Sequence, residues 1–313
     1  MAATTEDALS DDAGLLESPE QHAEIDARWR SKIDARLAEL IPGDEEVAGA
    51  TCPQLAEAMR YCLLAAGKRV RPMLAIRTAL HFGGDPERMI DFGCALEMVH
   101  CASLMLDDLP CMDDASLRRG QPACHQAFGE ATTTLAAVAL LNQAFGVLAR
   151  DRALGTDLRC DLVDRLSNAV GTAGLVSGQS RDLIERADAL DGDAVAEINH
   201  QKTGVLFELA TAGAGCILGL EDHLLDALQG YAGHLGQAFQ AADDLLDARR
   251  FAGATGKDAG QDRDKAGSVH RVGEDALRRV VERELAAGEA VLPTAAGRAA
   301  LDGYVRALFA RFL

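Results

Sequence analysis

Apolar residues recur at spacings of three and four along most of this chain, and that period leaves little room for any element but the helix. Ile33, Leu37 and Leu40 show it, as do Leu55, Met59, Cys62 and Leu63, and again Leu224, Leu228, Tyr231 and Leu235. No alternating strands bounded by hairpin turns stand out. The hydrophobic 48% is mostly Ala and Leu, with only 4% aromatic residues, which favours helix over sheet. Breaks fall at Pro42-Gly43, Gly83-Gly84-Asp85-Pro86, Gly155-Thr156, Asp191-Gly192-Asp193 and 253–267, and the segments between them are mostly of helix length. Three of these, Asp91–Leu109, Thr132–Ala149 and Leu162–Leu183, are apolar on several faces, the mark of a central helix. The expectation is an all-α chain: a large single-domain helical bundle over 25–313. Residues 1–24 contain no Lys or Arg and read as a flexible acidic tail.

The formal net charge of −18 argues against nucleic-acid binding by phosphate neutralisation and against anionic membrane surfaces. The tail matches neither a secretory signal nor a transit peptide. Unbroken apolar runs such as Leu135–Leu141 are too short to cross a bilayer, so no stable membrane insertion is expected. Eight cysteines show no CxxC pair or zinc spacing, which suits reduced, buried thiols in a cytoplasmic protein.

Two acidic clusters follow apolar helical stretches. The first runs Asp107-Asp108-Leu109-Pro110-Cys111-Met112-Asp113-Asp114, the second Asp243-Asp244-Leu245-Leu246-Asp247. Acids packed against a core repel one another and lose hydration unless a cation joins them. Asp243 and Asp247 stand at i, i+4 on one helix face, while Pro110 implies a bulge that re-aims the first set. Carboxylates without His or Cys suit Mg²⁺, which keeps waters and bridges one or two carboxylates to substrate phosphates.

Cationic clusters lie close by in sequence: Lys68, Arg69 and Arg71 in Gly67–Pro72, and Arg118-Arg119 just after the first acids. Arginine forks grip phosphate oxygens and lysine supplies a point charge. Such cations beside Mg²⁺-type acids suggest two phosphorylated substrates, one held through metal and one held directly. Lys202 and Thr203, with Gln240, offer polar groups that could steady a developing cation. The stretch from Lys257 to Gly267 has the composition of a mobile lid.

GKRVRP (67–72), DDLPCMDDASLRRG (107–120), GLVSGQSRDL (174–183), KTG (202–204) and GQAFQAADDLLD (236–247) make the chain resemble the trans-isoprenyl diphosphate synthases, the farnesyl and geranylgeranyl diphosphate synthase family. It looks most like the bacterial carotenoid-pathway geranylgeranyl enzymes. The resemblance implies an isoprenoid-synthase-type bundle with a central active-site cavity, working as a homodimer on isopentenyl diphosphate and allylic diphosphates. It implies that Asp107 and Asp113 hold two Mg²⁺ ions and the allylic diphosphate, with Asp108 and Asp114 supporting. Asp243 would hold a third ion, with Asp244 and Asp247 assisting. Arg118 would contact the allylic diphosphate, and Lys68, Arg71, His100 and Arg119 isopentenyl diphosphate. Lys202, Thr203 and Gln240 would line the reacting carbon, Lys257 would close on the allylic diphosphate, and Gln179 and Asp182 would form a secondary polar layer. The family's second lid lysine would be Lys265, which stands in Asp264-Lys265-Ala266-Gly267-Ser268 rather than in the family's usual Gly-Lys-Ser/Thr setting.

The reaction so implied is head-to-tail condensation of isopentenyl diphosphate with dimethylallyl, geranyl or farnesyl diphosphate through an allylic carbocation. Cys101, Ala102 and Ser103, one turn before Asp107, are small where fifteen-carbon synthases commonly carry an aromatic residue, so a twenty-carbon product is expected. Ala102→Tyr should then shorten it. A farnesyl product is the main alternative. A terpene cyclase or head-to-head synthase would not need the Lys68, Arg71 and Arg119 grip. A non-catalytic subunit of a heteromeric synthase should lose acids from one cluster, and both are complete here.

Overall fold

A computed structural model describes residues 19–43, 52–185, 192–253, 273–293 and 298–313. Residues 1–18 of the acidic segment, Lys257 and Lys265 lie outside the described residues, and so does the side chain of Asp247. The helices are α1 (Pro19–Leu40), α2 (Pro53–Leu63), α3 (Val70–His81), α4 (Ile90–Asp107), α5 (Cys124–Phe128), α6 (Glu130–Arg150), α7 (Thr156–Val170), α8 (Leu175–Ile184), α9 (Gly192–Asn199), α10 (Val205–Leu218), α11 (Asp222–Gly253), α12 (Glu274–Val291) and α13 (Arg298–Phe309). A 3₁₀ turn, Pro86–Met89, leads into α4, and a π turn, His200–Gly204, joins α9 to α10.

The apolar period explains the packing. In α1, Ile25, Trp29, Ile33 and Leu37 recur every four residues and are all buried. This helix begins at Pro19, inside the segment expected to be tail, and it is fastened to the bundle. Arg36 donates to both carboxylate oxygens of Asp91 (2.7 and 3.0 Å), and the fully buried Arg77 of α3 donates through Nε to Asp26 (2.9 Å). Helix α4 is buried on nearly every side from Phe92 to Met105. It packs on α3, α6 and α1, while α10 packs on α3 and α11, so α3, α4 and α10 form the centre.

Two details differ from the sequence expectation. The stretch 162–183 is two helices, α7 and α8, parted at Gly171–Gly174, where the chain leaves helical geometry. A small antiparallel ribbon also occurs, β1 (Leu117–Arg118) against β2 (Gln121–Pro122), with Arg118 opposite Gln121. Its two-residue turn is Arg119-Gly120, both at positive φ (54° and 82°). That is the mirror-image turn matching strand twist, and glycine fills its second position without strain.

Two helical stretches, Pro86–Asp107 and Glu130–Arg150, are long and apolar enough to span a bilayer by length and composition. Counting unbroken apolar runs missed them, because isolated polar residues interrupt each run without lowering the average much. The first is 67% buried inside the protein, the environment of a core helix, and the second 39%.

Candidate active site

The acidic end of α4 is built by a chain reversal. Helical geometry stops at Asp107 with Asp108 as cap, and Pro110 cannot continue the helix. The next residues fold back: Asp113 N–H donates to the Asp107 carbonyl (2.9 Å) and Ala115 N–H to that of Asp108 (3.2 Å). Asp114 takes a left-handed conformation (φ 48°) to close the turn. Asp113 is thereby brought beside Asp107, as the bulge argument expected. Burial and then the nearby Asp113 raise the Asp107 carboxyl to about 6, while Lys202 opposes the rise.

Asp107 opens onto a cavity of about 470 Å³, a usual size for a small-molecule site. It is bordered by Asp107 from α4 and Asp243 from α11 together with Lys68, Arg71 and Arg119, and Asp243 lies near enough to Lys68 and Arg71 to favour their charged forms. Lys202, Thr203, His100 and Ser103 also border it. The two acidic clusters, distant in sequence, thus face one space, as do the two basic ones.

The cations are prepared for an anion. Arg71 is buried, its Nε has no hydrogen-bond partner, and its guanidinium lies 4.9 Å from the Phe207 ring centre. Burial pulls its pKa down to about 10, against the pull of Glu97. An unpartnered buried charge is costly, and a bound oxyanion relieves it. Burial, followed by the Arg71 and Arg119 charges, holds His100 well below its ordinary value, so its imidazole is neutral.

Arg69, between Lys68 and Arg71 in sequence, does something else. It donates to Asp34 (2.7 Å), Glu97 (3.0 Å) and the Ala65 carbonyl (2.9 Å), so its fork is fully used. It ties the loop before α3 to α1 and α4, fixing its two neighbours. Glu97, 2% exposed, also lies 3.8 Å from Arg119. Arg69 and Arg119 both hold left-handed backbone (φ 51° and 54°), a strain that persists only where surrounding contacts enforce it.

Lys202 and Thr203 reach the cavity because the chain is a π turn there. Such insertions re-aim side chains at functional sites. Helix α8 approaches this turn so closely that a Cβ on Gly178 would stand 2.6 Å from the Lys202 backbone nitrogen. Lys202 Nζ donates to Asp182 (2.6 Å), which steadies it. Gln179 is buried with its amide 3.8 Å from the Met112 sulfur.

Several expected residues are placed elsewhere. Asp108, its side chain 3% exposed, accepts a forked hydrogen bond from Arg118 (3.0 and 3.1 Å from Nε). The pair borders a second, smaller hollow. Gln240 donates to Asp244 (3.0 Å) rather than bordering the cavity. Of the three small residues before Asp107, only Ser103 borders the cavity. Cys101 faces the second hollow and Ala102, 2% exposed, packs in the core. Helix phase explains this: at about 100° per residue, Ser103 lies ~40° from Asp107 around the axis, but Ala102 ~140° and Cys101 ~120°.

Sequence reasoning missed Glu97 and Arg311, which both border the cavity. Glu97 was legible as the one acid inside an apolar helix with arginines nearby. Arg311 belongs to no motif; the packing of α13 alone brings it there. It lies close to Lys68, whose ammonium is pushed down first by withdrawal from water and then by Arg311.

The donor set also bears on a metal. Among the described residues, no three His, Cys, Asp or Glu side chains are grouped tightly enough to cage an ion. Mg²⁺ does not need a cage, since it retains waters and shares substrate phosphates. Two hard-oxygen carboxylates bordering one cavity, one of them with a raised pKa, fit that mode.

Comparison with known proteins agrees with this geometry. A geranyltransferase structure from Legionella pneumophila superposes with a TM-score of 0.80 at 28% identity, covering 95% of this chain and 99% of that one. A geranylgeranyl diphosphate synthase of Pantoea ananas is 43% identical over 257 residues, 81% of this chain and 82% of its own. A farnesyl diphosphate synthase of Geobacillus stearothermophilus is 38% identical over 211 residues, 67% and 71% of the two chains. Bundle, cavity and likenesses define the class, a helical-bundle prenyltransferase. More particularly, the chain belongs to the Polyprenyl synthetase family, whose model matches residues 52–267.

Proposed function

We propose that this prenyltransferase condenses isopentenyl diphosphate head to tail with allylic diphosphates and releases geranylgeranyl diphosphate. The observation that carries the reading is one cavity bordered by Asp107 and Asp243 and also by Lys68, Arg119 and the buried Arg71, whose Nε has no hydrogen-bond partner. The acids suit a metal-held diphosphate, and the cations suit a diphosphate bound directly.

Asp107, Asp113 and Asp243 would hold Mg²⁺, up to three ions. When bound, the metal neutralises the leaving diphosphate and so favours cleavage of the allylic C–O bond. Lys202, held by Asp182, adds a positive charge on the leaving-group side. Thr203 and Phe239 border the cavity, where a hydroxyl oxygen and an aromatic ring would steady an electron-poor carbon. Phe207, Phe239 and Phe309 pack in series, one pair tilted and the other edge to face, with centroids 5.0 and 5.4 Å apart, and give the cavity apolar backing around Phe239 that keeps water out. Arg71, Arg119 and Lys68 hold isopentenyl diphosphate so that its double bond faces the allylic carbon.

The test is chain-length analysis of products from dimethylallyl and isopentenyl diphosphates with Mg²⁺. The expected product is twenty carbons long, formed only when both substrates are present. A fifteen-carbon end product favours farnesyl diphosphate synthase, and no condensation overturns the reading.

Glu97 gives a finer prediction. Glu97→Gln removes the charge shared by Arg69 and Arg119 and loosens the isopentenyl diphosphate grip. KM for that substrate rises about tenfold with little change in kcat, the pattern for lost uniform binding. Steady-state kinetics with each substrate varied in turn checks this.

The protein is further proposed to work as a cytoplasmic homodimer. Its cysteines are free thiols, as a reducing compartment requires. On α6, Leu135 and Val138 are 61% and 56% exposed, while the opposite side of the helix packs on α4. An exposed apolar stripe on a core helix suits a second copy of the chain. Replacing Leu135 and Val138 together by Glu should halve the mass measured by sedimentation.

A further inference from the structure

We propose that Cys62 and Cys124 form a peroxide-oxidisable dithiol, a covalent modification site beside the active site. Cys62 lies near the end of α2, and Cys124 opens α5. The helices that carry them pack on each other, and the Tyr61 hydroxyl ties the two segments by donating to the Pro122 carbonyl. Both face a hollow of about 30 Å³ that also meets Tyr61, Cys101 and the Asp108–Arg118 pair. That space admits a water-sized molecule, and hydrogen peroxide is only slightly larger.

The thiols are unequal. The neighbouring Cys62 thiol lowers Cys124 to about 7, against the burial that would raise it. The Cys124 neighbour, and then burial, push Cys62 upward, so Cys62 keeps its proton. A thiolate with a pKa near ambient pH beside a second thiol is the arrangement of an attacking and a resolving cysteine.

The steps balance. The Cys124 thiolate attacks one oxygen of hydrogen peroxide; the O–O bond breaks, the sulfur is oxidised by two electrons to a sulfenic acid, and hydroxide leaves. The Cys62 sulfur then attacks the Cys124 sulfur. An S–S bond forms, the S–O bond breaks, and the departing hydroxide takes the Cys62 proton as water. A thiol reductant reverses the change.

The bond would be felt at the active site through the ribbon. Tyr61 donates to the Pro122 carbonyl (2.8 Å), and β2 ends two residues before Cys124. The ribbon carries Arg118 and, at its turn, Arg119, which borders the large cavity. Displacing Arg119 by about 1 Å is expected to cost 10- to 100-fold in kcat/KM. This effect on catalysis rests on the proposed function; formation of the bond does not.

The experiment exposes the full-length protein to graded hydrogen peroxide, alkylates remaining thiols and maps peptides by mass spectrometry. Oxidation of the exposed Cys52, Cys111 and Cys160 calibrates the dose. The expected result is a linked Cys62–Cys124 peptide at or below that dose, with kcat/KM falling in parallel and returning on reduction. Cys62→Ser should give a dimedone-trapped sulfenic acid on Cys124 instead. Exposed cysteines oxidised while Cys62 and Cys124 stay unlinked would overturn the site. A linked peptide with unchanged kinetics would overturn its effect on Arg119. Because linkage is read by mass, it stands or falls separately from prenyl-transfer activity.

Discussion

Asp107→Asn lowers kcat for condensation by about 10³-fold, close to 4 kcal/mol of transition-state stabilisation. The substitution keeps the shape of the side chain and removes the charge that would anchor a metal-held diphosphate. The fold should not suffer. Burial and Asp113 raise the Asp107 carboxyl from the ordinary 3.8 to about 6, so its ionised form is disfavoured in the folded protein. A raised carboxyl contributes stability below pH ~4 that is lost as pH rises through about 6. Above that pH the asparagine variant should melt at the same temperature as the parent or higher, while turnover collapses. A loss of both together would mean that Asp107 serves the fold. In the parent protein, Mg²⁺ must displace this proton, so half-saturating Mg²⁺ should rise as pH falls below about 6. Titrating Mg²⁺ at several pH values measures it.

Ser103→Phe shortens the main product from twenty carbons to fifteen. Ser103 borders the cavity on the same helix side as Asp107, so an aromatic ring there occupies the space a fourth isoprene unit needs. Ala102→Tyr, the substitution suggested by sequence position alone, should behave differently. Ala102 is packed in the core at 2% exposure, and an added ring would overfill it, costing roughly 1–3 kcal/mol. Chain-length analysis and thermal melts on both variants separate the two cases. Shortening by Ala102→Tyr with an unchanged melting temperature, and none by Ser103→Phe, would place the growing chain on the other side of α4.

Local sequence carried much of this architecture. Periods of three and four located the helices, since each buries one stripe. Paired acids after apolar runs marked the places where charge meets core. What was illegible depended on helix phase and long-range packing. Cys101, Ala102 and Ser103 look alike as small neighbours, but a rotation of ~100° per residue sends them to different surroundings. Asp108 and Asp107 are adjacent, yet one is captured by Arg118 and the other faces the cavity. Among five neighbouring cations, Arg69 is spent on Asp34 and Glu97, which no local pattern distinguishes from a phosphate grip. Arg311 required knowing where the last helix lies.

The unsatisfied Nε of Arg71 has a practical consequence. A guanidinium in that state does not discriminate among compact oxyanions, so sulfate or phosphate from a buffer will occupy its place and compete with substrate. The inorganic pyrophosphate left after each turnover is a still better match. Progress curves should therefore bend early unless a pyrophosphatase clears the by-product, and initial rates taken in phosphate salts will read low.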